Sequence, residues 1–286
     1  MKLKGIFATL SFPLAVFALN SSTFEVPGPN GANGTAPQAI NSRGDITGLS
    51  FDGGGVSHGF LLRKGVFSTL DYPGFLHTTP RGINNQGEVV GQIDNRPVND
   101  NTKPTSGFIL QEDGKFVKID YPGATITGLF GINDSDQVVG NYQDGKYASH
   151  GFLLENGKFT TIEVPGAVGG TVATGINESG QIVGFYVSAT GTHGFLRTTS
   201  GVFQTLEIPG AIDSFARAIN DHGDIVGQFK DSAGLTHAFV LASGSVTIVD
   251  APGAVATFGR GINDRDVVVG NCTDGSGNLR AFITTK

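Results

Sequence analysis

Along almost the whole chain, short stretches in which apolar and polar positions alternate follow one another, each ended by Gly, Pro, Asn or Asp. That alternation predicts half-buried β-strands joined by tight turns. The stretch "TVATGIN", "QIVGFYV", "THGFLRT" and "VFQTLEIPG" gives four such strands in succession. The same four-strand phrase returns with the dipeptide Ile-Asn at Ile40, Ile83, Ile132, Ile176, Ile219 and Ile262, at spacings of 43, 49, 44, 43 and 43 residues. A regular period in this range means one supersecondary unit per repeat, and four short strands per unit favour a propeller over a solenoid.

The predicted turns have the chemistry this requires. Three residues past each asparagine stand Gly44, Gly87, Gly180 and Gly223, or Asp136 and Asp266, residue types that tolerate a left-handed backbone. Third and fourth strands join through Lys64-Gly65, Asp113-Gly114, Asn156-Gly157, Ser200-Gly201 and Ser243-Gly244, which are hairpin signals. Pro-Gly after each fourth strand, as in Pro165-Gly166, ends pairing and turns the chain toward the next unit. Downstream of residue 18 the chain opens with "STFEVPG", a fourth strand lacking a third, and closes with "LRAFITTK", a third lacking a fourth. Together they complete one sheet and hide its edges. The expected fold is all-β: a six-bladed β-propeller of four-stranded blades, the ring closed by pairing of the N-terminal strand with the C-terminal blade.

Counting outward from each hairpin tip places a basic group opposite an acid: His58 with Asp71, His150 with Glu163, His193 with Glu207 and His237 with Asp250. The closing blade offers Arg280 and Glu25, and one blade substitutes Ser106, opposite Asp120. A pair repeated in every blade, at the outer radius, cannot converge on one site; it is expected to pin register, at about 0.2 to 1 kcal/mol each. Behind these residues Phe60, Phe108, Phe152, Phe195, Phe239 and Phe282 are expected core. Gly48, Gly91, Gly140, Gly184, Gly227 and Gly270, mid-strand in each second run, leave room for a neighbouring ring.

Composition narrows the function. The protein has 286 residues, 44 glycines, no tryptophan and one cysteine, so no internal disulfide can form, and Cys272 is expected as a small buried hydrophobe. "MKLK" followed by "GIFATLSFPLAVFAL" has the shape of a secretory signal peptide over residues 1–18, leaving 19–286 as a single propeller domain. Of 19 basic residues, removal of Lys2 and Lys4 leaves 17 against 25 acidic, a net charge of −8. That balance argues against nucleic acid or an anionic membrane as partner. A secreted monomer is expected, extracellular or periplasmic, without cofactor. In "INDSDQ" and "INDRDV" two carboxylates sit two apart, as calcium ligands can, but the further ligands of a loop motif are missing and turn geometry accounts for them; no metal is expected.

"GIN" with its turn, "IVG", and "HGF" or "HAF" resemble the extracellular HAF-type repeat. All six units carry most of the pattern, from about Ser22 onward; the literal His-Ala-Phe occurs once, in "THAFV", and Ser106 and Arg280 depart from the histidine. The resemblance implies export and repetition, and supplies no catalytic residue.

A ligand site is then sought among residues that differ between blades. Two positions before each isoleucine stand Gln38, Arg81, Phe130, Thr174, Arg217 and Arg260, on the strand nearest the channel. Arg81, Arg217 and Arg260, with Gln38 and Thr174 beside them, can bind a carboxylate or sugar acid by bidentate contacts; alternatively each arginine pairs with an acid between blades. The loop Ile93 to Ser106 is the largest insertion. A non-catalytic module for a glycan, a surface protein or a small anion at the channel mouth is the first functional reading. The second is a lyase or hydrolase using a single group there, with His77, Asp213, Tyr142 and Tyr147 as candidates; the third is a structural module of a surface assembly.

Overall fold

The computed structural model describes residues 34–97, 104–145 and 148–284 in full, with the backbone of 7–11, 14–15, 20–24 and Thr285. Three strands lie in the N-terminal part: β1 (Phe7–Ser11), β2 (Leu14–Ala15) and β3 (Asn20–Phe24). Sets of four then follow in chain order: β4 (Thr35–Ile40), β5 (Ile46–Phe51), β6 (Ser57–Arg63) and β7 (Val66–Thr69); β8 (His77–Ile83), β9 (Val89–Asp94), β10 (Ser106–Leu110) and β11 (Phe116–Ile119). Next come β12 (Ile126–Ile132), β13 (Val138–Gln143), β14 (Ser149–Glu155) and β15 (Lys158–Ile162), then β16 (Thr171–Ile176), β17 (Ile182–Ser188), β18 (Gly191–Arg197) and β19 (Phe203–Glu207). Then β20 (Ala211–Ile219), β21 (Ile225–Asp231), β22 (Thr236–Ala242) and β23 (Ser245–Ile248) precede β24 (Ala254–Ile262), β25 (Val268–Asp274) and β26 (Leu279–Thr285).

The protein is an all-β propeller of four-stranded blades, each an antiparallel meander. The sets β4 to β7, β8 to β11, β12 to β15 and β16 to β19 are separate sheets. Only four blades are separate in this way: the last two sets share a nine-stranded sheet, because Thr236 on β22 pairs in parallel with Ala256 on β24. Backbone pairing also joins β26 to β3, with Phe24 opposite Ala281 and Asn20 opposite Thr285. β1 and β2 add parallel strands to the outer edges of β19 and β23.

Hairpin registers follow the count from the turns: Phe60 faces Thr69, Phe152 faces Thr161 and Phe239 faces Ile248. Lys64 and Gly65 (φ 50° and 77°), Asn156 and Gly157 (50° and 74°) and Ser243 and Gly244 (49° and 73°) are left-handed in succession, as a type I′ turn requires. The core lies between neighbouring sets. Phe108, Phe152, Phe195, Phe239 and Phe282 are fully buried, and Phe60 nearly so. Val226 and Ala238 of one set pack with Ile262 and Phe282 of the next, and Val269 of the last set packs with Ile40 and Phe60 of the β4 to β7 set. Cys272 is buried in that core, where burial pushes its thiol up.

Each innermost strand carries a β-bulge at the same point. The register shifts between Pro37 and Ala39, Pro80 and Gly82, Leu129 and Gly131, Ala173 and Gly175, Ala216 and Ala218, and Gly259 and Gly261. The second-strand glycine opposite makes room for it. A Cβ on Gly184 would lie 2.0 Å from the Val172 carbonyl oxygen and 2.9 Å from the Phe195 ring, and one on Gly270 2.1 Å from that of Phe258 and 2.7 Å from the Phe282 ring. The expected space for a ring is therefore real at Gly91, Gly140, Gly184, Gly227 and Gly270; at Gly48 the nearest atoms are backbone of Ala36 and Pro37.

A channel with an arginine ring

The residue left over by each bulge is Gln38, Arg81, Phe130, Thr174, Arg217 or Arg260. A bulge re-aims its side chain out of the pleat, and these six together line one small compartment that opens to solvent. The structure thus gathers all five residues singled out in the sequence as ligand-binding, with Phe130 as the sixth.

No carboxylate meets the three arginines among the described residues, which overturns the alternative of inter-blade acid pairing. Arg81 donates through Nη1 to Gln38 Oε1 (3.0 Å) and through Nη2 to Gln92 Oε1 (3.5 Å); Arg260 donates through Nε to Asn271 Oδ1 (3.1 Å). Arg217 makes no hydrogen bond among the described residues and is held by ring faces, its Cζ 5.2 Å from the Phe185 centroid and 5.4 Å from that of Phe215. The Nε atoms of Arg81 and Arg217 are buried without a partner. By area each arginine is only half-buried, since one side faces the channel, while protein atoms crowd the guanidinium itself. That crowding pulls Arg81 down to about 10, and burial with the charge of Arg81 brings Arg217 to about 10. Arg260 falls well below the ordinary arginine range through burial, then through Arg217 and Arg81.

Two residues further along each strand, Ile40, Ile83, Ile132, Ile176, Ile219 and Ile262 form an apolar belt, buried to the same degree in every set. Beyond it the asparagines form a cycle. Asn41 Nδ2 donates to the Asn84 carbonyl, and Asn84, Asn133, Asn177, Asn220 and Asn263 each donate in the same way to the next, the last returning to Asn41 at 3.0 Å. Each asparagine Oδ1 meanwhile accepts an amide of its own turn, such as that of Gln181 (2.9 Å). The following residues make a second cycle: Ser42 N donates to Asn85, Asn85 N to Asp134, Asp134 N to Glu178, Glu178 N to Asp221, Asp221 N to Asp264, and Asp264 N to Ser42. Four carboxylates therefore ring the far end of the channel, and burial, outweighing the Asp134 amide bond, raises Glu178 with help from the charges of Asp134 and Asp221. The sequence reading missed this ring, although the residue after each Ile-Asn signals it.

The outer pairs divide. His58 Nδ1 bonds Asp71 (2.8 Å), His237 Nδ1 bonds Asp250 (2.6 Å), and His150 Nδ1 bonds Glu163. A second acid, unforeseen, sits on the other ring nitrogen: Asp52 at 3.6 Å, Asp231 at 3.4 Å and Asp144 at 3.6 Å respectively. Arg280 donates to the equivalent Asp274 (3.1 Å); Glu25 lies outside the described residues. His193 departs from expectation. It stands in register with Glu207, yet its Nε2 bonds Thr190 (3.1 Å), because the tight β17 to β18 turn presents a hydroxyl where other sets present an acid. Asp120 pairs with Lys118 (2.8 Å) rather than Ser106.

Of the four candidates for catalysis, the three among the described residues do not meet. His77 accepts from the Ser57 amide (3.1 Å) and bonds the Arg96 carbonyl (3.0 Å); Asp213 accepts from Thr192 (2.8 Å); Tyr142 stacks on Tyr121 at 3.6 Å; Tyr147 lies outside the described residues. The paired carboxylates of the asparagine turns also part. Asp134 and Asp264 join the cycle, while Asp136 and Asp266 take the left-handed turn positions (φ 59° and 58°). His222, Asp224 and Asp266 can bring ligand atoms within 4.8 Å of one another at the surface, a grouping the sequence did not suggest.

No family model and no curated protein matches the sequence. Solved structures match in fold. AofleA from Arthrobotrys oligospora aligns with a TM-score of 0.60 at 14% identity, over 98% of this chain and 92% of that one. TolB from Acinetobacter baumannii aligns at 0.56 and 9% identity, over 91% of this chain and 65% of that one. The fucose-specific lectin from Aleuria aurantia aligns at 0.52 and 11% identity, over 95% and 93%. At such identities the likeness carries the propeller fold alone.

Proposed function

We propose that the chain is a secreted, non-catalytic six-bladed propeller of the HAF-repeat type that binds a glycan through an anionic group at the arginine ring. The joined sheet counts as blades five and six, and β3 completes the blade begun by β24. The asparagine cycle supports that count, since it passes once through every Ile-Asn unit. One observation carries the binding reading: three guanidiniums face one compartment, and no carboxylate among the described residues neutralises them. Buried like charges raise the free energy of the unliganded state, and an oxyanion held by guanidinium forks relieves that penalty. The glycan class is favoured by the propeller neighbours that are fucose lectins, including one complexed with Fucα1-6GlcNAc.

The test is an anion titration and a glycan array on the protein and on the Arg81→Ala/Arg217→Ala/Arg260→Ala variant. Anions are expected to raise the melting temperature of the first and not the second; at a hundredfold excess over Kd the gain is about 2.7 kcal/mol. Identical binding by the two proteins would remove the ring from consideration.

A further inference from the structure

The order of the six bulge residues around the channel follows the asparagine cycle: Gln38, Arg81, Phe130, Thr174, Arg217, Arg260, and back to Gln38. The ring is two-sided as a result. Arg217, Arg260, Gln38 and Arg81 are consecutive and form a cationic arc. Phe130 and Thr174 form the remaining arc, and the Thr174 hydroxyl is already committed to the Ala216 and Val183 carbonyls (2.9 and 3.2 Å), so its methyl is the group left for the channel. Gln38 is committed as well, through Oε1 to Arg81 and Nε2 to the Ala36 carbonyl. Within the cationic arc, Arg217 has the most unused donor capacity. Phe130 already lends its ring to Arg81, whose Cζ stands 5.7 Å from the centroid; a free inorganic anion would use the arc alone, whereas a ligand with an anionic edge and an apolar face would also use the part of Phe130 that lines the compartment.

Depth sets a second condition. Beyond the ring stands the isoleucine belt, and beyond that the carboxylate ring. An anionic polymer cannot thread past six buried isoleucines toward four acids without desolvating its charges against like charge. A ligand therefore enters and leaves the arginine ring by the same mouth, which suits a chain end better than a polymer passing through.

We propose that the ring receives, end-on, the terminal residue of an acidic glycan: its carboxylate lies in the forks of Arg217 and Arg260 with Arg81 opposite, and its C–H face lies against Phe130 and the Thr174 methyl. The proposal rests on the anion-binding reading above and adds the ligand class and its orientation.

The experiment is calorimetric titration of the whole protein with five probes: galacturonate, its methyl ester, galactose, acetate, and a trisaccharide with one internal galacturonate between neutral sugars. Galacturonate is expected to bind, with the ester and galactose showing no heat. Acetate and the internal uronate are expected to bind at least about tenfold more weakly, a difference of about 1.4 kcal/mol. Phe130→Ala should weaken galacturonate more than acetate, since acetate loses only the support that the ring gives Arg81, whereas Arg217→Ala should weaken both alike. Equal affinity for acetate and galacturonate would overturn the sugar-acid assignment while keeping an anion site. Equal affinity for internal and terminal uronate would overturn the end-on orientation. Binding of none of the probes, with no response to phosphate or sulfate, would remove both this proposal and the ring reading beneath it.

Discussion

His150, read by itself, resembles a catalytic group; its two flanking carboxylates make it a charged clasp between the outer strand and the turn before β14. The same holds for His58 and His237. Burial alone would lower these imidazoles, but hydrogen bonds and charge from Asp71, Glu163 or Asp250, then from Asp52, Asp144 or Asp231, outweigh it and raise all three above 6.5. A raised value in the folded state means that folding binds the proton more tightly. The stabilisation is complete below the unfolded value of about 6.5 and fades as pH rises through the folded values. Urea midpoints should therefore fall between about pH 6 and pH 8, and less steeply in a His58→Gln/His150→Gln/His237→Gln variant; equal slopes would contradict this. The facing acids were legible because hairpin register is arithmetic from the turn. The acids on the second nitrogen were not, because their placement depends on how each β-turn before the third strand folds back over the strand.

Hairpins and strand order were readable because glycine, proline and asparagine act locally, and the left-handed pairs at Lys64-Gly65 and Asn156-Gly157 are that local chemistry realised. The bulges were not readable, since a bulge is a relation between two strands. Their trace in the sequence was the mid-strand glycine, understood as space for a phenylalanine when it also admits the bulged backbone. Gly184→Ala should drive a methyl into the Val172 carbonyl and the Phe195 ring, at a cost of about 1–3 kcal/mol. Because Thr174 is set by that bulge, galacturonate affinity should fall as well, whereas Gly157→Ala, at a turn with open space around it, should lower stability and leave affinity alone. Parallel losses of affinity in both variants would show that the bulge does not aim the channel residue.

Across the whole molecule the channel is polarised: three guanidiniums near one end, an apolar belt within, four carboxylates at the other. The arginine half was visible as residues that failed to repeat. Their lack of acid partners was not, because an unpaired charge is defined by everything around it, and the acidic half passed for turn chemistry. The pairing of Asn20 with Thr285 leads further. Three other sets join their outer strands through a two-residue hairpin, whereas here β26 takes β3 from far away in the sequence, so this pairing does not depend on a turn. Fusing Thr285 to Asn20 through an inserted Asn-Gly and cutting the chain within residues 98–103 should give a circular permutant that melts cooperatively and retains anion binding. Failure of that permutant to fold, with the uncut fused chain folding normally, would mean that the original order of synthesis matters in a way the finished architecture conceals.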